Sequence, residues 1–109
     1  MTVSEETVHA RIVALYPAPQ DPAAFDTYYE TRHVELAQKM PRLRSIELSK
    51  GPVMSPTGGT YHRVGTLRFD SMEDLQKAVE SPEGQATAAD LSNFATGGVT
   101  LLFFDTMDL

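Results

Sequence analysis

Three histidines are the side chains in this 109-residue sequence best suited to acid–base chemistry near neutral pH. One of them, His33, follows a pair of tyrosines within an amphipathic segment. A histidine desolvated beside tyrosines can be held neutral and act as a general base. The same pattern is typical of a core histidine that forms one buried hydrogen bond. The sequence by itself therefore leaves both interpretations of His33 open.

The other two histidines, His9 and His62, lie on predicted neighbouring strands, so their side chains approach each other if the register matches. Neither belongs to a metal-ligand spacing such as two histidines four residues apart on a helix. The sequence also has no cysteine, no glycine-rich phosphate loop after a strand and no serine in a nucleophile-elbow context. We therefore predict no bound metal and no cofactor, and we interpret these two histidines as solvated or hydrogen-bonded strand residues.

Composition limits the partners of the chain. The formal net charge is −6, and no basic stripe is present, which argues against nucleic-acid binding. No apolar run approaches 18 residues and no charged-then-apolar leader begins the chain, so we expect no membrane span, no signal peptide and a cytoplasmic location. We predict a flexible leader at residues 1–7 and a single domain at residues 8–109.

The segment that carries His33 is predicted to be one helix over residues 22–40. Asp21 is a suitable N-cap, Pro22 suits the first helical position, and Pro41 ends the helix. An α-helical period places His33 at the edge of the apolar side and Arg32 nearer its middle. Arg32 must then either extend past the apolar side chains or pair with a carboxylate. The apolar side itself consists of Phe25, Tyr29, Leu36 and Met40.

Four strands and a second helical region complete the predicted fold. The strands are expected at residues 8–17, 42–51, 61–69 and 99–107. Ser71 and Ser81 are suited to cap two successive helical segments between the third and fourth strands. The order βαββαβ indicates an α+β fold with a four-stranded antiparallel sheet, in which we expect the first and third strands to be parallel neighbours.

The first and fourth strands are apolar on both faces, although helices can cover only one face of the sheet. The residues concerned are Ile12, Val13, Ala14, Leu15, Leu101, Leu102, Phe103 and Phe104. A monomer would leave one of these faces in contact with water. We therefore predict a homodimer that forms through the sheet.

The chain resembles the EthD family over nearly its whole length, from about Val8 to Met107. The most specific part of the resemblance comprises Phe25, Tyr28, Tyr29, His33, Leu36 and Pro41. A second, weaker point of agreement is the segment "ADLSNF", which contains Asp90, Asn93 and Phe94. His33 corresponds to the histidine typical of the family.

The resemblance implies a ferredoxin-like subunit of the dimeric α+β barrel class, with a small-molecule pocket between sheet and helices. Family members are linked to degradation of xenobiotic ethers. The wider superfamily includes cofactor-independent monooxygenases, polyketide cyclases and muconolactone isomerase. A haem-degrading branch needs a tryptophan, which this chain lacks.

The resulting functional hypothesis is a cofactor-free isomerase, cyclase or monooxygenase that acts on a small hydrophobic, cyclic or aromatic compound in degradation or polyketide-type metabolism. His33 is the candidate base, and Tyr16 and Tyr29 orient the substrate or donate to a developing oxyanion. The expected pocket residues are Phe25, Leu36 and Phe94. The alternative is a non-catalytic protein that binds a small ligand or assists an oxygenase, with His33 as a structural residue.

Overall fold

The structure is a computed structural model that describes residues 8–109. The predicted leader at residues 1–7 lies outside this range. The strands are β1 (Ala10–Tyr16), β2 (Ser45–Leu48), β3 (Arg63–Phe69) and β4 (Thr100–Asp105). The helices are α1 (Pro22–Tyr28), a π-helical turn (Tyr29–His33), α2 (Val34–Ala37), α3 (Met72–Glu80), α4 (Pro82–Asp90) and a final 3₁₀ turn (Leu91–Asn93).

The strands form one antiparallel four-stranded sheet in the order β2-β3-β1-β4, which confirms the predicted α+β, ferredoxin-like class. The prediction that β1 and β3 are parallel is wrong, because Ala10 pairs with Phe69 and Tyr16 pairs with Arg63. A helical crossover leaves β1 and β2 pointing the same way. Since β3 is antiparallel to β2 and lies between the two, it must also be antiparallel to β1.

Residues of β1 alternate between a buried and a half-buried face, as the period of a strand requires. Ile12 and Ala14 face the helices and belong to the buried core. We call the opposite side of the sheet, with Val13, Leu15, Leu102 and Phe104, the outer face. Both Leu102 and Phe104 remain well exposed in the single chain, at 43% and 39%. The predicted second apolar face is therefore present.

Two groups of buried side chains fill the space between helices and sheet. One is aliphatic and lies under α3, with Ala10, Ile12, Met40, Phe69, Leu75 and Ala78. We call the other the aromatic cluster, and it consists of Tyr16, Phe25, Tyr29 and Phe94 beside Ala14. Ring centroids within the aromatic cluster lie 5.0–5.7 Å apart, in the range at which aromatic rings attract one another.

The capping residues read from the sequence act as predicted. The Asp21 carboxylate accepts the Ala24 amide at 3.1 Å, and the Ser71 hydroxyl accepts the Asp74 amide at 3.1 Å. Ser81 caps α4 in the same way. Each bond satisfies an amide that the first helical turn would otherwise leave free. Within residues 8–109, no helix combines the length and apolar character that crossing a membrane requires.

The first helix contains a π turn that the sequence analysis did not anticipate. The Val34 amide donates to the Tyr29 carbonyl five residues earlier, so this turn holds one residue more than an α-helical turn. The added residue changes the angular register of everything that follows. As a result His33 is buried, and Arg32 is exposed rather than near the middle of the packed side. The helix ends at Ala37 rather than at the predicted Met40.

Candidate functional site

His33 and Asp90 form a buried pair at the helix-covered side of the sheet. The imidazole Nδ1 donates to Asp90 Oδ2 at 2.9 Å, and each residue is only 6% exposed. The π turn presents the histidine, and the last residue of α4 presents the carboxylate. The bond offsets the cost of burying these two polar groups, because either group buried alone would lack a hydrogen-bond partner.

Asp90 also accepts hydrogen bonds from two further side chains. The Tyr28 hydroxyl donates to Oδ1 at 2.6 Å, and the Asn93 amide donates to the same oxygen at 2.9 Å. Burial by itself raises the pKa of Asp90, but these bonds and the one from His33 outweigh it and lower the pKa below its ordinary value. The carboxylate is therefore ionised at neutral pH and held in one orientation.

The protonation state of His33 follows from this partner. A carboxylate only accepts hydrogen bonds, so Nδ1 carries the proton and Nε2 is free as a base. Burial lowers the pKa of His33, and the Asp90 hydrogen bond and charge oppose that shift only in part. The side chain is therefore neutral at pH 7. Within residues 8–109, no side chain or backbone group forms a hydrogen bond with Nε2.

A partly open cavity of about 90 Å³ lies between the sheet and the helices, and His33 is part of its wall. Asp90 binds Nδ1 from outside this wall, so Nε2 is the imidazole nitrogen left free for a ligand. The wall is mainly apolar, with Ile12, Ala14, Leu67, Val79, Leu101 and Phe103 among its residues. A cavity of about 150 Å³ can hold benzene, so one ring needs more room than this. A larger ligand can extend towards the edge strand β4, where the wall residues Leu101 and Phe103 are 43% and 46% exposed.

Tyr16 and Tyr29, the two predicted hydrogen-bond donors, both line this cavity with His33. Burial raises the pKa of Tyr29 to about 12. Burial, and then the neighbouring Tyr29, raise the pKa of Tyr16 further. Both phenols therefore stay protonated near neutral pH and are hydrogen-bond donors. The structure thus brings together the three residues that were predicted to act on a substrate, and their catalytic roles stay predictions.

The three predicted pocket residues lie elsewhere. Phe25 and Phe94 are 3% and 4% exposed in the aromatic cluster, behind the tyrosines rather than on the cavity wall. Phe94 still contacts His33, with ring centroids 4.6 Å apart. Leu36 is half-buried and does not reach the cavity, because the extra residue of the π turn moves the inward position to Ala37. These side chains support the site without lining it.

The expected approach of His9 and His62 does not occur. Since β1 and β3 are antiparallel, His9 lies near Asp70 at one end of the pair and His62 lies next to Tyr16 at the other. His62 Nε2 donates to Asp26 at 2.8 Å instead. Among residues 8–109, no three histidine or carboxylate side chains converge to hold a metal ion. The absence of a bound metal stays a prediction.

Arg63 lies at the centre of a second polar cluster next to the site. The sequence analysis did not predict this cluster. The Arg63 Nη1 donates to Asp26 at 3.0 Å and to Glu30 at 2.8 Å. The guanidinium carbon lies 5.1 Å from the centre of the Tyr29 ring. Hydrogen bonds from His62 and Arg63 outweigh burial and lower the pKa of Asp26. These groups border an open cleft that is also lined by Ser49 and Lys50.

Asp90 itself was noted in the sequence only as a point of family agreement, and only the structure shows that it faces the core. Gly84, Thr87 and Asp90 follow one another at three-residue spacing along α4, and all three are buried. That spacing places a carboxylate on the side of the helix that faces the core. A charged residue there needs a buried partner, and a histidine on another helix is a suitable one.

The EthD domain family matches residues 17–98. An uncharacterized 11.0 kDa protein in the thcB–thcC intergenic region of Rhodococcus erythropolis is 40% identical over 95 residues, covering 87% of this chain and 92% of the relative.

Solved structures with the same fold include close and distant ones. An ethyl tert-butyl ether D (EthD) family protein from Bacillus halodurans C-125 is 33% identical, with a TM-score of 0.81 over 91% of this chain and 99% of that one. SnoaB, a cofactor-independent oxygenase from Streptomyces nogalater, has a TM-score of 0.64 at 13% identity over 94% and 96% of the two chains, and shares the fold alone. From the domain match and the close relatives, this chain belongs to the EthD family.

Proposed function

We propose that this EthD-family protein is a cofactor-free enzyme that removes a proton from a small, apolar, cyclic or aromatic compound. The observation that carries the proposal is the buried pair of His33 and Asp90, with a free imidazole nitrogen at an apolar cavity. A neutral base shielded from water, with a fixed tautomer, is the arrangement that general-base catalysis requires. The substrate class follows from the apolar wall, which has no charged group to bind a carboxylate or phosphate.

In the proposed mechanism, Nε2 of His33 takes a proton from a carbon next to a carbonyl group, or from a hydroxyl group. Asp90 stabilises the resulting imidazolium through the 2.9 Å bond to Nδ1. The electron pair left on the substrate moves onto its oxygen. The protonated hydroxyl of Tyr29 donates to that oxygen and stabilises its developing negative charge, while Tyr16 donates its own proton to Tyr29 and so helps to orient it.

The carbanion that forms has three possible fates. The imidazolium can return the proton to a different carbon, which is isomerisation. The carbanion can attack a second carbonyl of the same molecule, which is cyclisation. It can also transfer an electron to dioxygen and then combine with it, which is oxygenation. The fold shared with a cofactor-independent oxygenase supports including the last of these.

Deuterium exchange tests the first step without knowledge of the natural substrate. 2-Tetralone is a suitable probe because it is an apolar fused-ring ketone with acidic hydrogens beside the carbonyl group. In D₂O, the wild-type protein is expected to replace those hydrogens faster than buffer does, as followed by proton NMR. His33→Gln should reduce the protein-dependent rate by about 100-fold or more, the usual loss when a general base is removed.

The alternative function is a non-catalytic protein that binds a small apolar ligand or assists an oxygenase. The small, mainly apolar cavity is the observation that favours it, because binding alone needs no base. The same probe distinguishes the two functions. If 2-tetralone shifts the amide resonances of residues around the cavity while its hydrogens exchange only at the buffer rate, the protein is a binder.

We also propose that two chains form a homodimer through the outer face of the sheet. Leu102 and Phe104 are half exposed there and lie beside Val13 and Leu15 of β1. Contiguous apolar surface of this kind is typical of a protein interface. Packing two such faces against each other buries both without further strand pairing.

A further inference from the structure

Strand β3 contacts Tyr29 at two points. The Arg63 guanidinium carbon lies 5.1 Å from the centre of the Tyr29 ring, within cation–π range. Two residues along the strand, and therefore on the same face, Gly65 lies against the Tyr29 hydroxyl. Any Cβ at position 65 would overlap that hydroxyl. Arg63 therefore contacts the face of the Tyr29 ring, and the missing side chain of Gly65 leaves space for its hydroxyl.

Arg63 is itself held in place. Its side chain is 11% exposed, and its Nη1 is bound to both Asp26 and Glu30. Its Nε is the one fully buried side-chain nitrogen or oxygen without a hydrogen-bond partner among residues 8–109. A buried donor without an acceptor is unfavourable. The two carboxylates nevertheless keep the guanidinium against the face of the Tyr29 ring, where the positive charge is attracted to the ring electrons.

We propose that Arg63 is a positioning residue that fixes Tyr29 and strengthens its hydroxyl as a hydrogen-bond donor to the substrate oxygen. This inference rests on the proposed function, in which Tyr29 donates to the developing oxyanion. Arg63 does not line the cavity and acts only through the tyrosine. The donor strength of a phenol increases when a positive charge stabilises the electron density left on its oxygen.

The charged and titratable groups around Tyr29 support this role. Burial raises the pKa of Tyr29, and the positive charge of Arg63 is the largest influence that lowers it. A hydrogen bond with Tyr16 on β1 also lowers it, and the charge of Glu30 raises it. His33 on the next turn is neutral because burial lowers its pKa. Arg63 is therefore the strongest influence that favours ionisation of this phenol, and it acts against the effect of burial.

The test is to replace Tyr29 with trifluorotyrosine, whose more acidic phenol titrates in an accessible pH range, and to follow its ¹⁹F resonance. In the full-length protein, Arg63→Met should raise the titration midpoint by about one pH unit, because an opposite charge at this distance is lost. Arg63→Lys, which keeps the charge, should restore part of the difference. Arg68→Met on the same strand is the matched control and should leave the midpoint unchanged.

Glu30→Gln provides an independent arm that leaves Arg63 in place. It removes a negative charge that disfavours ionisation, so the midpoint should fall. Glu30 is 53% exposed, so this variant is expected to fold even if Arg63→Met does not. Midpoints that stay at the parent value in the folded variants would overturn the inference.

Deuterium exchange into 2-tetralone separates this inference from the proposed function. Arg63→Met should lower the maximal exchange rate more than the apparent affinity, since a stronger donor acts on the developing oxyanion. If His33→Gln keeps full exchange activity, the proposed function fails whatever the fluorine midpoints are. If His33→Gln is inactive but Arg63→Met changes neither rate nor midpoint, only the role of Arg63 fails.

Discussion

Gly65 lies so close to the Tyr29 hydroxyl that a Cβ added at position 65 would displace one residue or the other. The glycine is required here for space, and its backbone is not in the left-handed region. A buried tyrosine at the cavity therefore depends on a residue from the opposite layer of the fold. The Tyr29 hydroxyl can occupy its position only because β3 has no side chain at Gly65.

Gly65→Ala should destabilise the protein by about 1–3 kcal/mol, because the added methyl group overpacks the contact with Tyr29. Tyr29→Phe removes the hydroxyl that occupies this space, so the same substitution should cost much less in that background. Urea unfolding of the four proteins of this double-mutant cycle measures the coupling. An equal cost of Gly65→Ala in both backgrounds would show that the hydroxyl contact is not what excludes a side chain.

The helices show which structural features could be predicted from the sequence and which could not. The caps at Asp21, Ser71 and Ser81 were correctly predicted because they depend only on local hydrogen bonding. The orientation of Arg32 and His33 was not, since it depends on a π turn. Packing against the aromatic cluster and Asp90 accompanies that turn, and a regular α-helical period cannot represent it.

NMR titration should place the pKa of His33 below the ordinary histidine value near 6.5. Burial is the cause, and Asp90 opposes it through its hydrogen bond and negative charge. Asp90→Asn removes that charge, so it should lower the pKa of His33 further. A rise of this pKa in the Asn variant would contradict the assignment of Asp90 as the group that stabilises the imidazolium.

Stability should fall as pH decreases from about 6.5 through the lowered pKa of His33. In this window an unfolded histidine is protonated while the folded protein keeps His33 neutral, so the unfolded state binds more protons. Urea unfolding at several pH values measures the effect. His33→Gln should weaken this pH dependence, and His9→Gln is the matched control at a partly exposed histidine. An unchanged dependence in His33→Gln would contradict a buried neutral imidazole.

Light scattering at micromolar concentration should give the mass of two chains. Leu102→Glu should shift the protein towards one chain, because a charge on the outer face would have to lose its hydration in the dimer. Met54→Glu is a suitable control, since Met54 is 84% exposed in a loop. A wild-type protein with the mass of one chain would contradict the dimer, as would a fully dimeric Leu102→Glu variant.

The parts of the site that sequence patterns left out are contacts between distant segments. Asp90 and His33 are 57 positions apart, and Arg63 and Glu30 are 33 apart. Neither pair has a local signature, because each depends on how α4 or β3 is placed against the first helix. The sequence did identify His33, Tyr16 and Tyr29 as candidates, because histidine is suited to acid–base chemistry and tyrosine can donate a hydrogen bond. Phe25 and Phe94 were recognised as apolar and aromatic, but periodicity could not distinguish a cavity wall from the layer behind it.

The most direct test of the central claim, that His33 is a base at the cavity, is the pH dependence of deuterium exchange into 2-tetralone. The protein-dependent rate should rise with pH to a plateau, with a midpoint that coincides with the pKa of His33 measured by NMR on the same protein. A folded His33→Gln variant should lack this rise and retain about 1% of the plateau rate or less. A rate that does not follow the ionisation of His33, or that persists in His33→Gln, would contradict the account.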